Sequence, residues 1–150
     1  MKIIVLGGDG FCGWASSLRL SSKGHEVLIV DNLSRRKIDK KLKVNSLTPI
    51  SSIHKRINTW NSINKKKIKY QNLNIAKDIK GLDQLIRKFK PHAIVHFAEQ
   101  RSAPYSMKDI SSRNYTISNN LLTNNNVLYL IAKNNKKIHF IHLGTMGVYG

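Results

Sequence analysis

A chain of 150 residues with 41% hydrophobic side chains is the size of one domain, too apolar to be disordered and too short to hold two. A single cysteine, Cys12, excludes an internal disulfide framework and any cysteine-built zinc site. Lys and Arg number 26 against 8 Asp and Glu, and the resulting +18 fits polyanionic partners: nucleic acid, an acidic membrane surface or phosphorylated ligands. The lysines are spread thinly, with one dense run at Lys65-Lys66-Lys67, and Lys, Asn and Ile dominate the chain as AT-rich coding would make them. A solvated surface is the plainer reading of the charge. No apolar run approaches the roughly 20 residues of a bilayer span. Met1 to Leu6 runs straight into Gly7-Gly8, too short for the apolar core of a signal peptide. The expectation is a soluble, cytoplasmic α/β domain.

Ile3 to Leu6 is a continuous apolar run closed by Gly7-Gly8, as a strand buried on both faces requires. A helix is predicted from about Cys12 to Ser22, stopped by Gly24. Val27 to Val30 is the second buried strand, ending at Asp31. Thr48-Pro49 opens a helix with Ile53, Ile57 and Trp60 spaced four and three apart. A strand over Ile68 to Leu73 follows, then a helix around Leu82, Leu85, Ile86 and Phe89 that Pro91 ends. Ala93 to Phe97 is the fourth strand, and a long loop leads on from it. The next helix runs from about Ser112 to Lys133, with Ile117, Leu121, Leu128 and Ile131 on one face. Ile138 to Leu143 is the last strand.

Strands alternating with helices need crossover connections, which are right-handed in nearly all cases. The predicted fold is a doubly wound parallel α/β sheet of the Rossmann type, strand order 3-2-1-4-5, over residues 1–150. Its fifth strand would be an exposed parallel edge, which such folds cover or extend, so the domain is expected to be incomplete at its C-terminal end.

Gly7, Gly10 and Gly13 form a GxxGxxG pattern between the first strand and the first helix. Such glycines permit a tight turn, close approach of a pyrophosphate, and close packing of helix on strand. The helix N-terminus then offers unpaired N–H groups and a positive dipole end. A bare glycine pattern is weak evidence. Here it follows a strand and opens a helix, and Asp31 ends the next strand, which together point to a dinucleotide. A carboxylate there accepts from both ribose hydroxyls and repels a 2′-phosphate, favouring NAD. Arg35 and Arg36 argue the other way, because guanidinium groups bind phosphate well. The carboxylate stands at the strand end itself, so NAD is the expected cofactor.

The GxxGxxG spacing, Asp31-Asn32-Leu33 and Val148-Tyr149-Gly150 resemble the extended short-chain dehydrogenase/reductases that act on nucleotide sugars. Within these, the chain is most similar to the UDP-sulfoquinovose synthases of sulfolipid biosynthesis. The likeness rests on Gly7 to Trp14, Ser46 to His54, Leu143 to Gly147, and the unusual block His96-Phe97-Ala98-Glu99-Gln100-Arg101-Ser102-Ala103-Pro104-Tyr105-Ser106-Met107.

That resemblance implies site roles position by position. Phe11 and Cys12 would supply loop amides to the pyrophosphate, and Asp31, Asn32, Ser34, Arg35 and Arg36 would surround the adenosine ribose. Asn74 and Ile75 stand where the family has Asp-Ile beside the adenine, and the amide oxygen of Asn74 could still accept from the adenine amino group. Phe97, Ala98 and Glu99 would line the middle of the cofactor, with Asn119 facing it from the long helix. Arg101 would hold the sulfonate of the product or the incoming sulfite. Thr145 matches the Ser/Thr of the family's Ser/Thr–Tyr–Lys set, orienting the sugar hydroxyl that loses its proton. Met146-Gly147 replace the Asp-Glu pair of the 4,6-dehydratases, which argues against that activity. The family's YxxxK pair and substrate domain lie beyond Gly150, so residues 1–150 alone are expected to be inactive.

The implied reaction joins UDP-glucose and sulfite, the latter free or from a donor protein, into UDP-sulfoquinovose, by a full-length homodimer. Another nucleotide-sugar epimerase or dehydratase, a catalytically silent NAD-binding remnant, and a basic nucleic-acid-binding module stand as alternatives. The module lacks an aromatic-rich basic strand face. His25, His54, His92, His139 and His142 show no metal-ligand spacing, and no metal is expected. His96 reads as a satisfied core histidine, and Trp14 and Trp60 as packing residues.

Overall fold

Alternation along β1 (Lys2–Leu6) sets up the whole domain, because Ile3 and Val5 point to one face of the sheet while Ile4 and Leu6 point to the other. All four are buried, as the continuous apolar run requires. In the computed structural model, which describes residues 1–100 and 103–144, β1 is the central strand of five. It pairs in parallel with β2 (Glu26–Asp31) on one side and β4 (Ala93–His96) on the other, so that Ile3 stands beside both Val27 and Ala93. Outside these lie β3 (Ile68–Asn72) and β5 (His139–His142), giving the order β3-β2-β1-β4-β5 that the sequence predicts.

Helices cover both faces. α1 (Phe11–Ser22) and α3 (Ile53–Ile63) lie over Ile3, Val5, Val27 and Ile29, adding Ile53, Ile57 and the partly buried Trp14 and Trp60. α4 (Ile79–Phe89) and α6 (Ile110–Asn134) lie over Ile4, Leu6, Val30 and Ile94, adding Leu82, Ile86, Val127 and Leu130. Each such side chain taken fully out of water contributes roughly 1.5–3 kcal/mol before entropy is set against it. Gly24, at φ +86°, ends α1, with its N–H donating to Ser21 and that of His25 to Leu20.

Four expectations need correction. α2 (Ser34–Lys41) fills a stretch where no helix is predicted. α3 starts at Ile53 rather than at Pro49, because the Ser52 hydroxyl caps it by accepting from the Lys55 N–H. A short α5 (Ala103–Ser106) interrupts the predicted long loop. The fourth concerns α6. Ile131 is buried, but Ile117, Leu121 and Leu128 are exposed, and the inward face carries Thr123, Asn126, Val127 and Leu130. Asn126 decides this orientation. Its amide donates to the backbone carbonyls of Ile75 at 2.8 Å and Ala76 at 3.3 Å, tying α6 to the loop after β3. Among the described residues, no helix is long and apolar enough to cross a membrane.

Candidate functional site

The strand order reverses between β1 and β4, and a crevice opens at their C-terminal ends. The turn from β1 into α1 forms its floor. Gly7 sits at φ +81°, donates its N–H to Val30 at 2.8 Å, and accepts from the Gly10 N–H at 3.2 Å. A Cβ on Gly7 would lie 2.6 Å from the Phe97 carbonyl carbon, and one on Gly13 would lie 2.2 Å from the Gly7 oxygen. The glycines are therefore where backbone passes backbone. Gly10 is the N-cap of α1 and brings no side-chain cap. The leading amides of α1, at Phe11 and Cys12, have no intrahelical acceptors, and both residues line the cavity. Such an end suits a phosphate.

At the end of β2, Asp31 accepts from the Asp9 N–H through Oδ2 at 2.9 Å and from the Leu33 N–H through Oδ1 at 2.8 Å. Burial raises its pKa above the usual carboxylate value, and those two N–H groups oppose the rise. Tyr70 donates its hydroxyl to the Asp31 carbonyl, and burial followed by the nearby Asp31 and Asp9 charges pushes its phenol up to about 12. Asp9 itself is almost fully buried between two guanidinium groups, those of Arg36 and Arg56.

The crevice encloses about 490 Å³, within the range of small-molecule sites. Gly7, Gly10, Phe11, Cys12, Gly13, Asp31, Asn32, Ser34, Arg35, Asn74, Ile75, Phe97, Ala98, Glu99 and Asn119 all line it. Arg36 does not; its guanidinium turns away to Asp9. Asn74 already spends an oxygen lone pair on the Ala76 N–H. Glu99 accepts from Asn124 at 3.0 Å, which fixes its carboxylate against α6. Asp9, Val30, Leu73, Thr123, Leu143 and Gly144 also line the crevice and were not expected from the sequence. Thr123 had a signal, since it follows Asn119 by one helical turn. Arg101, Thr145, Met146 and Gly147 lie outside the described residues.

His96, Glu99 and His142 bring one potential donor atom each within 4.8 Å of one another, a grouping that sequence spacing does not reveal. His96 is fully buried, its Nδ1 accepts from the Ala98 N–H at 3.0 Å, and its Nε2 has no partner among the described residues. The core histidine is thus half-satisfied rather than satisfied. With Nδ1 as acceptor the proton resides on Nε2, so neither ring nitrogen offers a free lone pair to a cation. The trio is a polar cluster under the crevice, with His142 Nε2 at 3.5 Å from Glu99.

A parallel sheet ordered 3-2-1-4-5, a glycine turn leading into an uncapped helix, and a carboxylate ending β2 define a dinucleotide-binding domain of the Rossmann type. The family model for the NAD dependent epimerase/dehydratase family matches residues 3–150, and the chain belongs to that family, whose cofactor is NAD. It is 47% identical over 149 residues to the chloroplastic UDP-sulfoquinovose synthase of Spinacia oleracea, covering 99% of this chain and 31% of that protein. It is 39% identical over 153 residues to the UDP-sulfoquinovose synthase of Sulfolobus acidocaldarius, covering 100% of this chain and 38% of that protein. Among solved structures, the UDP-glucose 4-epimerase of Bifidobacterium longum in complex with NAD+ and UDP superposes with a TM-score of 0.75 at 20% identity. That likeness covers 100% of this chain and 38% of the epimerase, and shows the fold. The chain thus spans about a third of the length of the curated relatives it matches.

Proposed function

We propose that these residues are the NAD-binding part of a UDP-sulfoquinovose synthase, which forms UDP-sulfoquinovose and water from UDP-glucose and sulfite. The observation that carries the reading is the 47% identity to the spinach enzyme along 99% of this chain, over a crevice with a phosphate turn and a ribose acid. Bound NAD supplies a hydride acceptor for the sugar C4 and returns the hydride later. The protein's part is positioning. The amides of Phe11 and Cys12 receive the pyrophosphate, and Asp31 takes the ribose hydroxyls. Asn32, Ser34 and Arg35 flank the ribose, Asn74 and Ile75 the adenine. Phe97, Ala98, Glu99 and Asn119 hold the middle of the cofactor. Thr145 orients the sugar hydroxyl, and Arg101 faces the sulfite or sulfonate. Among the described residues no tyrosine lines the crevice to act as the base, and residues 1–150 alone are expected to turn over no UDP-glucose.

The single cysteine suits a reducing compartment, and we place the protein in the cytoplasm. It acts as a homodimer, for which the exposed Ile117, Leu121 and Leu128 of α6 offer a face. Sulfite arrives free or from a donor protein.

The test is the product formed by the complete protein carrying this chain when given UDP-glucose, sulfite and NAD. UDP-sulfoquinovose supports the reading; UDP-galactose, with sulfite unused, sinks it in favour of an epimerase. In the same protein Arg101→Ala should weaken UDP-sulfoquinovose binding roughly tenfold or more, because charge-assisted bonds to a sulfonate are worth about 1.5–3 kcal/mol each. UDP-glucose, which has no sulfonate, should lose much less. Titration calorimetry with both nucleotides measures the difference, and an equal loss for both would assign Arg101 to a shared part of the ligand.

A further inference from the structure

We propose that Asp9 is a cofactor-selecting residue: it holds the Arg36 guanidinium against its own carboxylate, keeps that cation from the 2′ position of the adenosine ribose, and so preserves selectivity for NAD over NADP. The inference rests on the crevice being the NAD site and adds a second determinant to the Asp31 carboxylate.

Arg36 stands in the first turn of α2, two residues past Ser34 and five past Asp31, the acid proposed to take the ribose hydroxyls, one of which carries a phosphate in NADP. A free guanidinium there would bind that phosphate through its planar fork. It is not free. Arg36 Nε donates to Asp9 Oδ2 at 2.7 Å, and its Nη2 donates to the Asp9 carbonyl at 3.2 Å. Arg56, from α3, donates to Asp9 Oδ1 and lies over the Trp14 ring, its Cζ 4.5 Å from the centroid. Arg56 and Trp14 thus fix the carboxylate from behind and leave one oxygen for Arg36. The Asp9 N–H at the same time holds Asp31 Oδ2 at 2.9 Å. One residue therefore aims the ribose acid through its backbone and immobilises the competing cation through its side chain.

Charge makes the device necessary. A protein at +18 attracts phosphate of every kind, so discrimination against the extra phosphate of NADP must be local. Only 8 acidic residues are present, and this one is spent inside the phosphate turn, 4% exposed. A buried carboxylate is retained only with its partners in place. Arg35, the neighbouring cation, lines the crevice but is 3.9 Å from Asp39 on the half-exposed surface, a contact that restrains it weakly.

The experiment measures NAD+ and NADP+ dissociation constants by calorimetry, and the thermal shift each produces, for the wild-type protein, Asp9→Asn, Asp9→Ser and the double variant Asp9→Asn/Arg36→Ala. The expected result is a shift of about tenfold in the NADP+ to NAD+ affinity ratio towards NADP+ in both single variants, cancelled in the double variant. A purely structural staple would weaken both cofactors equally, and an unmoved ratio, or a gain that survives loss of Arg36, overturns the proposal. Should neither Asp9 variant fold, Arg36→Ala in the wild-type background decides: the proposal expects the ratio to stay, and a further loss of NADP+ against NAD+ would show that Arg36 already reaches the phosphate. Binding of neither dinucleotide by the wild-type protein would overturn the crevice assignment and Asp9's role together. NAD-selective binding untouched in the Asp9 variants removes the role of Asp9 alone.

Discussion

Gly13→Ala should cost the domain about 3 kcal/mol or more of unfolding free energy and abolish cofactor binding. The added Cβ would lie 2.2 Å from the Gly7 oxygen and 2.8 Å from the Gly8 Cα. Both are backbone atoms, so no side chain can swing aside. Overpacking of an ordinary core costs about 1–3 kcal/mol, and a clash that must move two segments of main chain belongs at the upper end. The turn would have to open, and with it the line of amides aimed at the pyrophosphate. Two other glycines calibrate the effect. Gly10→Ala meets one contact, 3.3 Å from the Gly7 oxygen, and should cost much less than Gly13→Ala. Gly24→Ala meets nothing, but at φ +86° it should cost roughly 1–2 kcal/mol through backbone strain. Urea denaturation of the three variants gives the ranking. A Gly13 variant as stable as the Gly10 variant would show that close passage of α1 over the turn is not why glycine stands there.

The strands and their order were legible because their signals are local. Ile3 to Leu6 and Val27 to Val30 are unbroken apolar runs, and helices between them force the crossovers that set a parallel sheet. The phosphate turn and Asp31 were legible for the same reason: one unit of strand, turn, helix and strand contains them. α2 was not. Ser-Arg-Arg-Lys-Ile-Asp-Lys-Lys offers one apolar side chain, so there is no stripe to read. Its start depends instead on Asn32 accepting from the Ser34 N–H, a turn signal of the Asx kind.

α6 misled for the opposite reason. It carries apolar residues on more than one face, so periodicity alone cannot choose which is inward. The choice falls to Asn126, whose carbonyl partners stand 50 and 51 residues earlier. The Asp9 cluster was hidden in the same way: an acid in a glycine turn meets Arg36 at a separation of 27 and Arg56 at 47. No spacing rule links them. The His96–His142 contact needs the register of β4 on β5, which sets those two residues side by side.

That contact leads to a pH dependence with a definite sign. The domain should lose stability as pH falls from 6.5 towards 4, by about 3 kcal/mol from His96 alone. Burial pushes the His96 imidazole down from 6.5 to about 4, and the neighbouring His142 adds to the fall. The unfolded chain therefore takes up a proton near pH 6.5 that the folded one refuses until about pH 4. Between these values the unfolded state binds more protons, so stability rises with pH across the window and is complete above it. A gap of that width corresponds to about 3 kcal/mol at 1.36 kcal/mol for each tenfold change in proton affinity. The structural cause is that charging the ring would break the acceptor role of Nδ1 towards the Ala98 N–H and bury a cation beside His142. The wild-type curve sums over every group that takes up a proton, so a variant is needed to assign the effect. His96→Asn isolates it, because an amide oxygen near the Nδ1 position still accepts from Ala98 but takes up no proton. The variant is expected to be less stable than wild type at pH 8, where the ring packs better, and the difference should shrink or reverse at pH 4.5. Urea midpoints for both proteins at half-unit pH steps measure it. Parallel curves for the two would mean that the ring is reached by water and titrates as in the unfolded chain, and the neutral, Nε2-protonated tautomer under the crevice would have to be given up.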